Sequence, residues 1–564
     1  MEKHKKYNTE VTGAEAVILA LLDENVTDVF GYPGGAIMPV YDALYDYMDR
    51  LNHYLVRHEQ GATHAAQGYS RVSGKPGVVF ATSGPGATNL ITGIADAQID
   101  STPMVCITGQ VHSHLLGTDA FQETDVVGIS MPVTKWNIQV TKAEDIAPAI
   151  AKAFYIATTG RPGPVLVDIT KDAQFGKTKY KHEKCESIRS YFPCPKVNEE
   201  EVNAAAELIN NAKRPYILCG HGVLLSGAEK QLLALAEKAD IPVASTLLGL
   251  SAFPPTHPLY VGYLGMHGNY GPNYLTNECD VLIAIGMRFD DRVTGNVSKY
   301  AKQAKVVHFE IDPSEINKII HADAAVMGDA KESLDLLLPK IKSQKRTEWL
   351  KRFADCNDVE FEKVIKEAIN PNSEKLRMAE VIHKFHNISN GNAIVVTDVG
   401  QHQMITSRYY KSNIPNHFVT SGGLGTMGFG LPAAIGAKVA QPNKEVVTVI
   451  GDGGFQMTIQ ELGTIMQSDI AVKIIILNNN FLGMVRQWQQ LFFDRRYSFT
   501  EMKNPDFITI AKGYGIKGKK VTERANLEDA LKEMYESKQA FLLEVVVENE
   551  ENVFPMVATG ASVS

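Results

Sequence analysis

Two apolar runs that end in polar residues decide the fold: Val446-Val-Thr-Val-Ile-Gly-Asp-Gly-Gly454 and Val472-Lys-Ile-Ile-Ile-Leu-Asn-Asn479. Short apolar runs of this kind are typical of strands that are buried on both faces of a parallel sheet. The loop that leaves one strand and the tip of a neighbouring strand can converge at the carboxyl edge of such a sheet. The sequence therefore predicts that Asp452 and Asn479 lie close together at one sheet edge.

The same pattern recurs along almost the whole chain, where Val- and Ile-rich runs alternate with longer helical patterns. The runs fall in three blocks: 78–81, 104–107 and 165–168; 216–219, 281–285 and 306–310; and 393–397, 446–450, 474–477 and 542–547. Charged, polar stretches at 177–195 and 340–372 separate the blocks. Strands that alternate with helices form parallel sheets covered on both faces. We therefore expect an α/β fold of three doubly wound parallel-sheet domains, at residues 1–180, 195–345 and 373–564.

Composition excludes several classes of protein. The chain has 564 residues and a net charge of 56 − 64 = −8, whereas a surface that binds nucleic acid usually needs a basic excess. Six cysteines without a CxxC pair indicate neither a disulfide scaffold nor a zinc site. No apolar run reaches the ~18 residues of a membrane span, and the N-terminal stretch Met1–Tyr7 is polar. We expect a soluble cytoplasmic protein without nucleic-acid or membrane partners.

The ends of the two deciding strands carry the side chains of a metal and phosphate site. Asp452 offers a carboxylate oxygen and Asn479 an amide oxygen. Such a sparse oxygen set suits Mg²⁺, which completes its octahedron with phosphate oxygens. Gly453 and Gly454 let backbone N–H groups approach a phosphate, and a helix expected to begin near Thr458 points its positive end the same way. The alternative is an ordinary Asp-Gly turn beside an asparagine cap.

A carboxyl group at a helix start is the second feature that carries chemistry. Glu59, in Arg57-His-Glu-Gln-Gly-Ala62, follows the short run 54–56 and opens a helix whose small residues predict close packing. An ordinary glutamate at this position only stabilises the helix dipole, and the residues alone leave that alternative open.

Both features resemble motifs of the thiamine diphosphate enzymes. Gly451-Asp-Gly453 with Asn478-Asn479 is similar to their diphosphate and Mg²⁺ motif, and the segment around Glu59 is similar to their activating-glutamate motif. The resemblance implies that the Glu59 carboxyl lies beside the aminopyrimidine ring and helps to remove the thiazolium proton, with a pKa raised by partial desolvation. In that family the two motifs meet across a subunit interface, which implies at least a homodimer. The implied metal ligands are Asp452, Asn479 and the main-chain carbonyl of Phe481.

From about Thr12 to Pro555 the chain resembles one branch of these enzymes, the large catalytic subunits of acetohydroxyacid synthase (acetolactate synthase). The segments that carry the resemblance are Gly31-Tyr-Pro-Gly-Gly35, Phe121-Gln-Glu123, Ser421-Gly-Gly-Leu-Gly-Thr-Met-Gly428 and Gly483-Met-Val-Arg-Gln-Trp488. The implied thiamine diphosphate contacts are Tyr32, Pro33, Glu59, Val399, Gly400, Gln401, His402, Gly425, Met427, Asp452, Gly453, Gly454, Asn479, Leu482, Gly483 and Met484. The implied catalytic residues are Glu59, Gln122, Lys171 and Arg292, and the implied substrate contacts are Gly35, Phe121, Met484 and Trp488.

Some of these assignments have alternatives. The family more often has a proline before the lysine in the segment Asp168-Ile-Thr-Lys171, so the placement of Lys171 is less defined than that of the other residues. Phe121 and Trp488 are ordinary core aromatics in the alternative interpretation.

The middle block carries a second cofactor signal in Gly286-Met-Arg-Phe-Asp-Asp-Arg292, which resembles the FAD-binding segment of the same family. Arginines can pair with phosphates and acidic groups can bind ribose hydroxyls, although a solvated charged loop is the alternative. The implied FAD contacts are Arg161, Gly220, His221, Gly222, Thr246, Leu247, Leu264, Gly265, Met266, His267, Gly286, Met287, Arg288, Asp290, Arg292, Val293, Glu310, Ile311, Gly328, Asp329 and Ala330. The flavin would be structural, because carboligation transfers no net electrons, and the segment argues against the FAD-free catabolic acetolactate synthases.

The resemblance implies a specific reaction. The enzyme would decarboxylate pyruvate on thiamine diphosphate and transfer the hydroxyethyl carbanion to a second 2-oxoacid, pyruvate or 2-oxobutyrate. This is the first common step of valine, leucine and isoleucine biosynthesis. Arg292 would bind the carboxylate of the acceptor and Trp488 its alkyl group, although one methylene contributes only about 1–3 kcal/mol. Further implied partners are a second copy of the chain, in a homodimer or homotetramer, and a small regulatory subunit that binds feedback amino acids.

The sequence also raises rival functions. A flavin-dependent pyruvate oxidase and a simple 2-oxoacid decarboxylase share the fold, but the segments 288–292 and 484–488 favour the carboligase. A catalytically silent homologue is disfavoured because Glu59, Asp452 and Asn479 are all present. Gly423-Leu-Gly-Thr-Met-Gly428 matches the GxGxxG of dinucleotide folds, which is weak alone, and the segment 68–75 misses the P-loop pattern.

Overall fold

Three six-stranded sheets, each parallel throughout, follow one another along the chain in the computed structural model, which describes residues 6–558 and 560–563. The first has the spatial order Asn52–Leu55, Asp28–Gly31, Gly77–Ala81, Met104–Gln110, Pro164–Thr170 and Trp136–Val140. The second has the order Tyr260–Tyr263, Val243–Ser245, Pro215–Cys219, Val281–Ile285, Lys305–Glu310 and Ala324–Met327. The third has the order Phe418–Val419, Ile394–Thr397, Val446–Gly451, Lys473–Asn478, Phe541–Val546 and Lys517–Val521. The expected α/β architecture is confirmed, while residues 1–5 of the polar N-terminal stretch lie outside the described residues.

Helices connect the strands of each sheet. Around the first sheet they are Gly13–Asp23, Met38–Tyr45, Glu59–Ser73, Pro85–Asn89, Ile91–Ile99, Val126–Ser130, Ile146–Thr158 and Lys171–Phe175. Around the second they are Glu199–Asn211, His221–Ser226, Glu229–Ala239, Tyr270–Thr276, Asp291–Thr294 and Ala330–Leu337. Around the third they are Met378–Ser389, Gln401–Tyr409, Gly430–Ala440, Asp452–Met457, Leu462–Ser468, Gly483–Phe492, Phe507–Gly513 and Leu527–Glu536.

The central strands are buried on both faces. In Met104–Gln110, for example, Val105 and Ile107 pack into one apolar cluster, and Met104 and Cys106 pack into another. Apolar cover on both sides explains why these runs are continuously apolar instead of alternating with polar residues.

The register of the third sheet brings strand ends together. The strands Ile394–Thr397, Val446–Gly451 and Lys473–Asn478 are neighbours and run parallel. Gly451 pairs with Leu477, so the carboxyl ends of the last two strands lie side by side. Side chains that follow these ends therefore share one edge of the sheet, as the sequence predicts.

One helix joins the first and third sheets within the chain. Glu59–Ser73 packs against Gly430–Ala440 so closely that a Cβ on Gly68 would lie only 1.9 Å from the carbonyl oxygen of Ala433. No side chain fits at that distance, so a glycine is required. The close packing expected for the helix at Glu59 is confirmed.

Both polar connectors contain regular structure. Lys177–Lys179 is a short strand that pairs antiparallel with Glu10–Thr12. The second connector is helical, with Thr347–Glu360, a π-helical turn at Phe361–Ile365, and Lys366–Ile369. Within the described part of the chain, no helix has the length and apolar character needed to span a membrane.

Candidate active site

A cavity of about 910 Å³ lies between the carboxyl ends of the second and third sheets, and the segments 99–101 and 158–162 beside the first sheet complete its wall. Its lining follows strand ends in both sheets, for example Thr246 and Gly286 in the second and Asp452 and Asn479 in the third. A cleft outside the carboxyl ends of parallel strands is the usual place for a ligand in α/β folds.

Most of the predicted site residues line this cavity. Those predicted for thiamine diphosphate and the metal are Val399, Gly400, Gln401, His402, Gly425, Met427, Asp452, Gly453, Gly454, Asn479, Phe481, Leu482, Gly483 and Met484. Those predicted for FAD are Arg161, His221, Gly222, Thr246, Leu247, Leu264, Gly265, Met266, His267, Gly286, Met287, Arg288, Asp290, Arg292, Val293, Glu310, Ile311, Gly328, Asp329 and Ala330. Trp488 is a further member of the lining, whereas Gly220 lies behind it and donates its N–H to the carbonyl of Ile285 at 3.0 Å.

Asp452 is the buried carboxylate of the cavity wall. It is 1% exposed, and the side-chain amide of Asn504 donates to its Oδ2 at 2.6 Å. Burial raises the pKa of Asp452 to about 6, against the effect of that hydrogen bond. The expected helix start near Thr458 is confirmed, because Thr458 is the N-cap of the 3₁₀ turn Ile459–Glu461, which continues into the helix Leu462–Ser468. A further helix, Asp452–Met457, was not expected, and it begins at the aspartate itself. The first N–H groups of this helix therefore lie at the Asp-Gly-Gly segment.

The remaining oxygen donors of the predicted metal site lie beside Asp452 in the same lining. Asn479 is 3% exposed, and its Oδ1 accepts the N–H of Phe481 at 3.2 Å. In the described part of the chain, no group of three or more His, Cys, Asp or Glu side chains could hold a metal ion. One carboxylate, one amide oxygen and one carbonyl fit Mg²⁺ when phosphate oxygens complete the coordination.

His402 offers an unpaired polar atom at the same wall. It lies in the first turn of Gln401–Tyr409, after Gly400, whose φ of +148° favours glycine. Burial lowers the pKa of His402 to about 3, so the ring is neutral. Its buried Nε2 has no hydrogen-bond partner within the described chain, although buried polar atoms normally have one. A phosphate in the cavity would supply it, so the residues present fit a diphosphate group.

The side of the cavity formed by the second sheet has a comparable unpaired atom. His267 is 6% exposed, and its Nδ1 has no hydrogen-bond partner among the described residues. Burial raises the pKa of Glu310 to about 7, although its Oε1 accepts the N–H groups of Ile311 and Asp312. Arg161, which follows the helix Ile146–Thr158 beside the first sheet, reaches across to this side and forms ion pairs with Asp312 and Glu315 at 3.2 and 3.0 Å. These polar groups fit an extended polar ligand such as FAD.

Arg292 and Trp488 meet inside the cavity. The guanidinium carbon of Arg292 lies 5.9 Å from the centroid of the Trp488 indole, a cation–π distance. Arg292 is exposed, and its Nη1 donates to the sulfur of Met266 at 3.4 Å. The indole Nε1 is buried and has no hydrogen-bond partner within the described chain. The lining therefore combines a cation and a flat apolar surface in one place.

The predicted acid belongs to a second group of residues, beside the first sheet. Glu59 begins the helix Glu59–Ser73, and its Oε2 accepts a hydrogen bond from Nδ2 of Asn89 at 2.9 Å. Gln122 lies next to Gly84, the residue that precedes the helix Pro85–Asn89: a Cβ placed on Gly84 would be 3.0 Å from the Cα of Gln122. Gln122 has a φ of +60°, which side chains rarely adopt, and such backbone strain clusters at functional sites.

The rest of this group is more open. Lys171 begins the helix Lys171–Phe175, and Gln174 of that helix donates to the carbonyl of Ala36 at 2.8 Å. Phe121 is 88% exposed, so the core-aromatic alternative is wrong for this residue. Of the described residues that line the cavity, none belongs to the predicted set Tyr32, Pro33, Gly35, Glu59, Phe121, Gln122 and Lys171. Within one chain, the predicted site residues thus divide into a group that lines this cavity and a group that does not.

Comparisons with known proteins agree with this architecture. Three family models match, each described as a thiamine pyrophosphate enzyme domain: the N-terminal TPP binding domain at 11–129, the central domain at 202–337 and the C-terminal TPP binding domain at 398–545. The chain is 47% identical over 557 residues to the probable acetolactate synthase large subunit of Methanocaldococcus jannaschii, which covers 97% of this chain and 94% of the relative. It is 45% identical to the isozyme 2 large subunit of Escherichia coli acetolactate synthase, with 98% of both chains covered. It is also 45% identical to the mitochondrial catalytic subunit of Saccharomyces cerevisiae acetolactate synthase, with 98% of this chain and 83% of the relative covered.

The chain belongs to the acetolactate synthase family of thiamine pyrophosphate enzymes. The resemblance seen in the sequence is thereby confirmed. In this acetolactate synthase family member, the N-terminal match includes Glu59 and the C-terminal match includes both Asp452 and Asn479. The two TPP binding domains of the family therefore contain Glu59 in one case and Asp452 with Asn479 in the other, whereas most residues predicted for FAD lie in the central domain.

Some residues of the site escaped the sequence analysis. Asp398 is fully buried and accepts the N–H groups of Val399, Gly428 and Gly430 at 2.7–3.0 Å, which ties the start of one cavity segment to the turn of another. It directly follows a buried strand, so the argument used for Asp452 would have found it. Asn504 had no such signal, because it lies 52 residues from Asp452 in an irregular segment.

Proposed function

We propose that the chain is the catalytic subunit of an acetolactate synthase, which decarboxylates pyruvate and joins the two-carbon unit to a second 2-oxoacid. The observation that carries this proposal is the contact between Arg292 and Trp488 in the same cavity as Asp452 and Asn479. A cation beside a flat apolar surface suits an acceptor with a carboxylate and a short alkyl group. A simple decarboxylase has no second substrate and no need for such a pair.

The proposed cofactors are thiamine diphosphate, Mg²⁺ and FAD. Thiamine diphosphate, when bound, supplies the electron sink for loss of CO₂. Asp452, Asn479 and the carbonyl of Phe481 would hold Mg²⁺, and the unpaired Nε2 of His402 would contact the diphosphate. His267 and the other predicted residues of the second sheet would hold FAD.

The chain's own residues would move the proton and bind the second substrate. The carboxyl of Glu59 would hold and exchange the proton of the aminopyrimidine ring. Arg292 would bind the carboxylate of the second 2-oxoacid through charge-assisted hydrogen bonds. Trp488 would pack on its alkyl group and favour 2-oxobutyrate by about 1–3 kcal/mol per methylene. Gln122 and Lys171 would line the entrance.

We also propose that two copies of the chain form each active site. The support is the separation of the Glu59 group from the cavity that contains Asp452. Two symmetric chains would each contribute one group to each site, in a homodimer or in a homotetramer built from such dimers. A separate regulatory subunit is a further proposed partner, because the matched relatives are named large or catalytic subunits. A cytoplasmic location is supported by cysteines that are all free.

Product analysis tests the proposed reaction. The purified chain is incubated with pyruvate, thiamine diphosphate, Mg²⁺ and FAD, with and without 2-oxobutyrate. We expect acetolactate from pyruvate alone, and mainly acetohydroxybutyrate when both substrates are present. Acetaldehyde as the sole product would indicate a decarboxylase, and flavin-linked acetate or acetyl phosphate would indicate an oxidase. Either result would overturn the carboligase proposal.

A further inference from the structure

Glu461 is a buried carboxylate without a role in the proposed reaction. It is 0% exposed and ends the short 3₁₀ turn Ile459–Glu461, which follows the helix that begins at Asp452. A buried carboxyl group is costly unless its oxygens are hydrogen-bonded, so its partners indicate what it does.

The Glu461 carboxylate binds the backbone just before Glu59. The N–H of Arg57 lies 3.1 and 3.2 Å from its two oxygens. The hydroxyl of Thr464 donates to Oε2 at 2.6 Å and fixes the orientation of the carboxylate. These contacts join residues that are 404 positions apart in the chain.

The side chain of Arg57 makes the reciprocal contact. Its guanidinium donates to the carbonyl of Gly463 at 3.0 Å and to Oε1 of Gln467 at 2.7 Å. It also donates to the carbonyl of Leu55 at 2.9 Å. The extended residues before the helix Glu59–Ser73 are therefore held through both backbone and side chain by the segment 461–467.

No space remains between the first turn of the helix Glu59–Ser73 and the side chain of Glu461. A Cβ on Gly61 would lie 2.5 Å from Oε1 of Glu461, so the carboxylate lies directly against the helix start. A shift of the helix start would bring it into the carboxylate or break the bond to the N–H of Arg57.

We propose that Glu461 is a positioning residue, which fixes the start of the helix Glu59–Ser73 and so holds the Glu59 carboxyl where cofactor activation needs it. The inference rests on the proposed function of Glu59, and Glu461 acts only through that residue. Misplacement of a catalytic group by about 1 Å can lower a rate by roughly 10²-fold.

Hydrogen–deuterium exchange at C2 of bound thiamine diphosphate in the holoenzyme tests the proposal. Glu461→Gln keeps the size of the side chain but leaves one acceptor oxygen for the Arg57 N–H and the Thr464 hydroxyl, which together use both oxygens of the carboxylate. We expect C2 exchange to slow by about tenfold or more, because Glu59 loses its fixed position. Thiamine diphosphate affinity and oligomeric state should stay those of the wild type.

Two further variants control for folding and for the burial of an amide. Glu380→Gln is the matched control, because Glu380 is also buried, at 1% exposed, but binds Nε of Arg524 at 3.0 and 3.2 Å. It should leave C2 exchange unchanged. Thr464→Val removes the hydroxyl that orients Glu461, and it should slow exchange by severalfold even if Glu461→Gln does not fold.

A double-mutant cycle separates positioning from a general structural effect. In a Glu59→Gln background, Glu461→Gln should slow exchange no further, since both act through one carboxyl. Equal slowing in both backgrounds, or wild-type exchange in both Glu461→Gln and Thr464→Val, would overturn the positioning role. Failure of the proposed function looks different: Glu59→Gln alone would leave C2 exchange unchanged.

Discussion

The two groups of predicted site residues differ in how complete they are within one chain. Asp452 and Asn479 are almost fully buried in a cavity wall, and unpaired polar atoms of the same lining, such as Nε2 of His402, point to a ligand. The group around Glu59 is only half-buried, and its Phe121 is 88% exposed. We infer that one chain holds the cofactor but that the acid needed to activate it arrives from a second chain.

The largest effect is expected from Glu59→Gln. Loss of a general acid–base group lowers a rate by about 10²–10⁴-fold, so acetolactate formation should fall by that factor. Thiamine diphosphate should still bind with near wild-type affinity in a fluorescence titration, because the diphosphate half of the site is intact. Glu199→Gln, an exposed residue paired with Lys340, is the control and should retain full activity.

Asp452→Asn is expected to weaken cofactor binding, the property that Glu59→Gln leaves intact. Removing the only carboxylate of the proposed metal site should weaken Mg²⁺-dependent binding of thiamine diphosphate by at least about tenfold. Titration calorimetry at several Mg²⁺ concentrations measures this effect. Asp506→Asn serves as the control, since Asp506 caps the helix Phe507–Gly513 outside the cavity and asparagine is an equally good cap. Unchanged cofactor affinity in Asp452→Asn would remove Asp452 from the metal site.

A smaller, selective effect is expected from Trp488→Ala. The preference for 2-oxobutyrate over pyruvate in competition should fall by roughly tenfold, because the ring no longer packs on the extra methylene. Leu491→Ala on the same helix, where Leu491 is 40% exposed, should leave the product ratio unchanged. An unaltered ratio in Trp488→Ala would exclude the indole as the selective surface.

The last effect concerns the stability of the fold and its dependence on pH at Glu461, with no change in the reaction itself. Burial raises its pKa from 4.5 to about 7, against the hydrogen bonds from Thr464 and the backbone of Arg57, so the folded protein binds this proton more tightly than the unfolded chain does. The contribution of this bound proton to the free energy of unfolding is fully present below pH 4.5 and is lost as the pH rises through about 7.

The wild type should therefore lose up to about 3 kcal/mol relative to Glu461→Gln between these pH values. Paired thermal melts across that range measure the difference. A difference that stays constant with pH would contradict the raised pKa.

The sequence predicted those parts of the site that follow from local pattern. Asp452 and Asn479 each directly follow a buried strand, and parallel packing alone brings such strand ends together. The helix at Asp452–Met457 was missed because two glycines disfavour a helix locally, whereas the surrounding sheet edge fixes it. Glu461 was out of reach for a different reason: its partner Arg57 is 404 residues away, so only the tertiary fold brings them into contact.

The sequence pattern likewise does not indicate that the two groups of site residues are separate within one chain. Glu59 and Asp452 both follow short strands, and each would pass as part of one site if the sheets faced each other within the chain. The structure instead turns the second sheet toward the cavity of the third, and the helix Glu59–Ser73 packs on Gly430–Ala440. The expectation that both groups form one site rested on the family resemblance alone, because neither periodicity nor spacing indicates it.

The most direct measurement is the activity of a purified heterodimer that combines one Glu59→Gln chain with one Asp452→Asn chain, selected by two different affinity tags. If each site draws one group from each chain, one of the two sites contains both defects and the other contains none. At a thiamine diphosphate concentration that saturates only the wild-type site, the heterodimer should then form acetolactate at about half the wild-type rate, although both parent homodimers are nearly inactive. A heterodimer no more active than its parents would place both groups of a site in one chain and contradict the account.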